Sequence, residues 1–113
     1  MPEWFATSAA RLDLLSHWHY FADEVGSPEL ADHLTAQARL TFSKLARTPG
    51  LGRPSSLQHV RLAGFRQWRV DGFPKLLIFY RERAGVVEIA RVIHGARDLE
   101  SALSVQPPPT AED

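Results

Sequence analysis

Few side chains in this 113-residue sequence stand in a pattern that could do chemistry. The run Arg91-Val92-Ile93-His94-Gly95-Ala96-Arg97-Asp98 brings an imidazole, a guanidinium and a carboxylate close together. His94 could act as a general base or as a contact to a target, and Arg97 as a target-contacting arginine. The same residues also read structurally. His94 can close a strand end by hydrogen bonding, and Arg97 and Asp98 can form a local ion pair and helix N-cap. Arg66, Trp68 and Arg69 offer a second cluster, an aromatic between two cations, with Arg91 on a later strand. Arg66 shares the parity of Trp68 and Val70 while Arg69 has the other, so they point to opposite faces and form no single basic stripe. Trp68 is open to two readings, core residue or exposed aromatic–basic patch. His17 and His19 are too close in sequence to share a helix face and make a poor metal pair. Ser8 and Ser16 lack a histidine and an acid at any recognisable spacing. With no cysteine there is no disulfide, thiolate zinc site or thiol nucleophile. No metal and no cofactor is expected.

The elements that must position these residues are legible from apolar period. Trp4-Phe5-Ala6 is a candidate short strand. Thr7 or Ser8 can cap a helix whose apolar residues Leu14 or Leu15, Trp18, Phe21 or Ala22 and Val25 recur at helical spacing, with Gly26 as its stop. On that stripe Trp18 and Phe21 read as packing residues. Ser27-Pro28-Glu29 combines an N-cap, a first-turn proline and a first-turn acid. Leu30, Leu34, Ala38, Thr41 or Phe42 and Leu45 carry this second helix to Thr48-Pro49-Gly50. So short a link predicts a helical hairpin. Leu51 to Val60 reads as a loop. The period then changes to that of strands: Phe65–Val70, the turn Asp71-Gly72, the doubly apolar Leu76–Tyr80, the turn Glu82–Gly85, and Val86–Ile93. Short turns make these three strands an antiparallel meander, with Leu76–Tyr80 central. Asp98 is the candidate cap of a short last helix through Leu103. Helical stripes need a sheet face to cover, which predicts a two-layer α+β domain, β-α-α-β-β-β with an antiparallel sheet and the hairpin on one face. The expected boundaries are one domain over residues 1–105 and a disordered proline-rich tail over 106–113.

Composition narrows the class. Hydrophobic residues make up 44% and charged residues 23%, as in an ordinary globular domain. No apolar run is long enough to span a membrane, and the Met1-Pro2-Glu3-Trp4 start does not resemble a signal peptide, so a cytoplasmic protein is expected. The formal net charge of zero hides an asymmetry: Arg61–Asp98 carries +4 and the remainder −4. A basic half points to an acidic partner surface, or to nothing more than a solvated face.

Element order and local motifs together resemble the RelE/ParE toxin superfamily, and within it the ParE branch of plasmid-stabilisation toxins. ParE-type toxins tend to carry Ala-x-x-Asp-Leu near the first helix start, as in Ala10-Arg11-Leu12-Asp13-Leu14. Pro-x-x-Gly follows their second helix, as in Pro49-Gly50-Leu51-Gly52. Gly-x-Arg opens the next strand, as in Gly64-Phe65-Arg66. An aromatic-Pro strand ends in Tyr-Arg, as from Phe73-Pro74 to Tyr80-Arg81. His-Gly-x-Arg-Asp closes the signature, as in His94–Asp98. The resemblance spans roughly Phe5 to Leu103. It implies a toxin of a type II toxin–antitoxin pair that acts by binding and inhibiting DNA gyrase. It also implies a ParD-like cognate antitoxin and no sequence-specific nucleic-acid binding by the toxin alone. The rival implied by the same superfamily is a ribosome-dependent messenger-RNA endoribonuclease using His94 and Arg97. By alignment Leu77 stands where such enzymes carry an arginine, and Leu103 near where they place a tyrosine, and both departures speak against RNA cleavage. A third reading is an inactive toxin-like binding module. Target or antitoxin contacts are expected from Arg66, Trp68, Arg69, Arg91, His94 and Arg97.

Overall fold

The computed structural model of the chain describes residues 3–55 and 64–95. Strand β1 (Trp4–Ala6) leads into helix α1 (Ser8–His19), which widens at its end into a π-helical turn over Tyr20–Glu24. Helix α2 (Pro28–Arg47) follows, then a 3₁₀ turn (Pro49–Leu51) and strands β2 (Arg53–Pro54), β3 (Arg66–Val70), β4 (Phe73–Arg83) and β5 (Val86–His94).

The N-caps predicted for the two described α-helices form. The Thr7 hydroxyl accepts the Ala10 N–H at 3.1 Å and the Ser27 hydroxyl accepts the Leu30 N–H at 3.1 Å, each relieving one of the donors a helix start leaves unpaired. Pro28 occupies the first turn of α2, where its missing N–H costs nothing. Gly26, at φ +83°, lets the chain reverse between the helices.

The five strands form one sheet in the order β1-β5-β4-β3-β2. The predicted meander is present and β4 is central, flanked by β3 and β5 in antiparallel register. Two features depart from the expectation of a wholly antiparallel sheet built from four strands. β1 joins parallel to β5, Phe5 opposite Glu88. β2, read in sequence as loop, pairs antiparallel with β3 at Gln67 and Arg66. Two residues ending in proline carry no strand period, so this edge strand was invisible to a pattern argument. β4 is also longer than Leu76–Tyr80, because its polar ends pair as well as its apolar middle. The β4–β5 turn narrows to Ala84 and Gly85, both at positive φ, the combination that a two-residue hairpin prefers.

One sheet face carries the helices. Leu34, Ala38, Phe42 and Leu45 of α2 and Ala10 of α1 pack with Val70, Leu76, Ile78, Tyr80, Val87, Ile89 and Val92. Alternation sends Leu77 and Phe79 of β4 to the opposite face, where Phe79 joins Phe65 and Ile93 in a second, smaller cluster. Phe21 packs against the main core, as predicted, while Trp18 is half-buried and bonds Asp32 at 3.0 Å.

Tyr80 ties the 3₁₀ turn to the sheet. Its buried phenol donates to the Pro49 carbonyl at 2.7 Å and accepts the Gly52 N–H at 2.7 Å. The Arg66 guanidinium donates to the Gly52 carbonyl at 2.6 Å. A side chain at position 52 would put its Cβ 2.5 Å from the phenol oxygen and 2.7 Å from the Gln67 carbonyl, so only glycine fits. The Pro-x-x-Gly, Gly-x-Arg and Tyr-Arg motifs are thus three ends of one hydrogen-bonded joint. Burial raises the Tyr80 phenol above its ordinary value of 10.0, with the Gly52 hydrogen bond and Arg66 pulling the other way.

A phenol whose folded pKa is raised stabilises the fold at pH below about 10, and that contribution is lost as pH rises through the folded value. Tyr80→Phe should cost about 1–3 kcal/mol at neutral pH, the scale of leaving a buried donor and acceptor unpaired. It should also flatten the alkaline fall in stability relative to the parent. Urea unfolding of both proteins between pH 8 and 11 checks this; parallel curves would show that the phenol is not in the joint.

Candidate partner-binding surface

The sequence motif Ala-x-x-Asp-Leu acquires a physical meaning at the edge of β5. Beyond Ile89 the outer edge of β5, the side away from β4, has no strand beside it among the described residues, because β1 ends at Ala6. Helix α1 takes over. Asp13 accepts the Val92 N–H at 2.9 Å and the Arg91 guanidinium through both carboxylate oxygens, at 2.7 and 2.9 Å. One helical turn on, His17 bonds the Val92 carbonyl through Nε2 at 2.9 Å. A carbonyl can only accept, so Nε2 carries the proton. Asp13 and His17, an i,i+4 pair, serve Val92 as a neighbouring strand would. Thr7 extends the edge, its hydroxyl donating to the Ala90 carbonyl at 2.9 Å. The register slips by one residue between Phe79 and Tyr80 of β4, so that Ala90 is the extra residue of a β-bulge in β5. The Asp13 carboxylate holds the Arg91 guanidinium above its ordinary pKa, outweighing burial.

The predicted contact residues therefore separate. Arg91 and Arg66 both spend their guanidinium groups inside the protein, on Asp13 and on Gly52. Arg69 is exposed, its guanidinium 5.1 Å from the centre of the Trp68 ring. Trp68 resolves the open question of its position halfway: one side packs against the main core, and the other lines an open groove with Leu51, Arg53, Gln67, Arg69, Pro74 and Leu77. Its Nε1 is buried without a hydrogen-bond partner among the described residues. The groove follows from β2 being two residues long, which leaves β3 bare beyond Gln67.

His94 lies elsewhere. It pairs with Leu76, on the helix side of the sheet, and lines a hollow of about 320 Å³ with His17, Tyr20, Phe21, Gly72, Phe73, Pro74, Lys75 and Leu76. Arg97 falls outside the described residues, as do Asp98, the predicted last helix and the proline-rich tail. Of the histidine pair on α1, His17 is buried and His19 exposed, pairing with Asp23. Among the described residues no group of three or more His, Asp or Glu is arranged to hold a metal ion, and no helix is long and apolar enough to cross a membrane.

The sheet face away from the helices is laid out in rows across the strands, with Phe79, Glu88 and Ile93 on it buried. Arg69, Leu77 and Ile93 form one row. Two rows on, past Phe79, Arg81 lies opposite Glu88 and stacks on the Phe65 ring at 4.6 Å. Glu88 is itself buried and is shared by Arg81 at 3.2 Å and Arg83 at 3.0 Å. Much of the sequence's basic excess is thus consumed internally: Arg81 and Arg83 on Glu88, Arg91 on Asp13, while Lys44 of α2 holds Asp71 at 2.6 Å. In the described part of that half, Arg69 and Lys75 are the exposed cations without an ion pair.

Comparison with known proteins decides the family. The sequence model of the ParE toxin of the type II toxin–antitoxin system parDE matches residues 5–99. The chain belongs to the ParE toxin family. The fold agrees: a solved structure described as a chromosomal ParDE toxin–antitoxin system from P. aeruginosa superimposes with a TM-score of 0.67, covering 81% of this chain and 94% of that one at 21% identity. No curated protein matches this ParE chain. The Asp13 and Gly52 joints, both made from family-motif residues, are structural parts of this ParE domain. Sequence reasoning flagged their residues as signature without seeing their partners, because the partners lie far along the chain.

Asp13→Ala should leave the Arg91 cation and the Val92 N–H unpaired. Arg91 keeps 28% of its side chain exposed, so the cost should fall near the low end of the about 3–5 kcal/mol that breaking a buried pair entails. Denaturant unfolding gives the cost, and amide hydrogen exchange should show Val92 losing protection before its neighbours on β4. Unchanged exchange at Val92 would refute the role of α1 as edge cover.

Proposed function

We propose that this ParE-family toxin arrests growth by binding DNA gyrase and that a ParD-like cognate antitoxin neutralises it. The observation that carries this reading is on the sheet face away from the helices, where half-buried Leu77 of the central strand meets exposed Arg69 at the groove beside Trp68 while Phe79 and Ile93 are buried. Phosphoryl transfer needs a cation and proton-transfer groups gathered at one phosphate. Here the cations Arg81 and Arg83 on that face are held by Glu88, and His94 sits on the helix side with Leu76. A groove of this kind suits contact with a protein: a half-buried leucine and aromatic beside an exposed arginine, a residue type over-represented where partners bind. We assign the contacts to Trp68 and Arg69 at the groove, to His94 at the end of β5, and to Arg97, which lies outside the described residues, and treat Arg66 and Arg91 as supports.

Purified toxin should inhibit supercoiling by gyrase, and induced expression should relax plasmids while transcripts stay whole. Arg69→Glu should raise the concentration for half-inhibition about tenfold or more, the loss of roughly 1.4 kcal/mol of contact. Plasmid topology gels beside transcript blots give the answer. Ribosome-dependent cleavage of transcripts by the purified protein would move the function to the ribonuclease branch.

The antitoxin encounter should depend on salt. Exposed charges steer association, while buried contacts set dissociation. Arg83 shares Glu88, so the useful charges to reverse are Arg69 and Lys75. Each reversal should slow association severalfold and leave dissociation nearly unchanged, as read by stopped-flow mixing at low and high salt. An association rate indifferent to salt would reduce the charge asymmetry to a solvated surface.

A further inference from the structure

Where α1 ends, its hydrogen bonding changes. The Val25 N–H reaches back to the Tyr20 carbonyl at 3.0 Å, and the Ser27 N–H to the Phe21 carbonyl at 2.9 Å. The wider π turn over Tyr20–Glu24 is a feature that recurs at binding sites because it re-aims side chains that a regular helix would bury. Here it delivers Tyr20 and Phe21 to the hollow beside β4. Phe21 meets Phe73 edge-on at 5.6 Å. Phe73, Pro74 and Leu76 give the hollow an apolar wall, His17 contributes another side, and at about 320 Å³ it is of the size that takes one large side chain.

Its charge is one-sided. Among the described residues no aspartate or glutamate lines it, and Lys75 supplies its one formal charge. The nearest acid in the adjoining turn, Asp71, is neutralised by Lys44 at 2.6 Å. Lys75 itself is exposed and forms no ion pair among the described residues. An apolar hollow with a cationic rim selects an apolar side chain flanked by carboxylates: burial supplies affinity, the rim supplies orientation and excludes basic sequences.

We propose that this hollow is a docking site for a protein partner through an acidic segment that inserts a single leucine, isoleucine or aromatic side chain against the Phe21–Phe73 pair, with a carboxylate one or two residues away on Lys75. The inference deepens the reading of the chain as a toxin working by protein contact. It places a second contact surface at the β4 start, apart from the Arg69 groove on the β3 edge.

The test is selection of a displayed random twelve-residue peptide library on the whole protein. Expected are enriched peptides sharing one large apolar residue flanked by Asp or Glu. A labelled synthetic copy of the best peptide should then bind at least tenfold more weakly to Lys75→Glu, and equally well to Arg53→Glu, which alters the other groove. Lys75 is exposed, so Lys75→Glu should retain the parent's melting temperature; backbone amide shifts of Gly72, Lys75 and His94 on adding the peptide give a mapping free of any substitution. Enrichment of no common pattern, equal binding to Lys75→Glu, or shifts at Trp68 and Arg69 instead would each overturn the proposal. None of these readouts uses growth or gyrase, so a toxin inactive on gyrase can still pass, and an active one can still fail.

Discussion

The carboxylate of Asp13 is the point on which the sheet's far edge depends. β1 covers only the first part of β5, and without a substitute the rest would present unpaired amides to solvent or to another chain. A helix cannot offer backbone groups sideways, since its own are paired along the axis. It can offer side chains at i and i+4, and Asp13 with His17 supplies one acceptor and one donor to the same residue, Val92. The same carboxylate satisfies Arg91, which the bulge at Ala90 turns toward the helix. Helix position, strand edge and bulge are therefore coupled through one side chain.

The two joints, at Asp13 and at Tyr80, pull the helical layer onto the sheet from opposite sides. Tyr80 sits on the central strand and reaches the turn that follows α2. Asp13 sits on α1 and reaches the edge strand. Between them lies the apolar core of α2 against β3, β4 and β5. Each large buried side chain there contributes roughly 1.5–3 kcal/mol, yet burial has no direction. The hydrogen-bonded joints supply the direction, because a misplaced helix would leave a buried donor or charge unpaired.

Elements with strong periods or caps were legible in the sequence. Thr7, Ser27 and Pro28 mark the helix starts, and the change of period at Phe65 with Gly72 and Gly85 marks the meander. β2 was hidden because two residues have no period. The parallel seat of β1 was hidden because pairing partners across the chain leave no local trace. The contact residues were legible only as types. That Arg66 and Arg91 are internal, and Arg69 exposed, depends on Gly52 and Asp13 lying where the fold puts them. The hollow at Phe73 was not foreseen at all, since its residues come from α1, the β3–β4 turn and the end of β5, and its one local signal, the π turn, has no sequence signature.

The first of the described strands needs the last of them. Thr7 bonds Ala90 across 83 residues, and Trp4 to Ala6 have no place in the sheet until Val87 to Ile89 exist. Such distant pairing is slow to form because a long loop must close first. On a ribosome it also imposes an order: α1 and α2 can condense early, but the edge that α1 guards is made only once β5 has emerged. A chain truncated before β5 has no partner for β1 and none for Asp13. The folded toxin domain is therefore an almost all-or-none product of synthesis through β5, and a chain released before it should be a substrate for proteolysis before it is a poison.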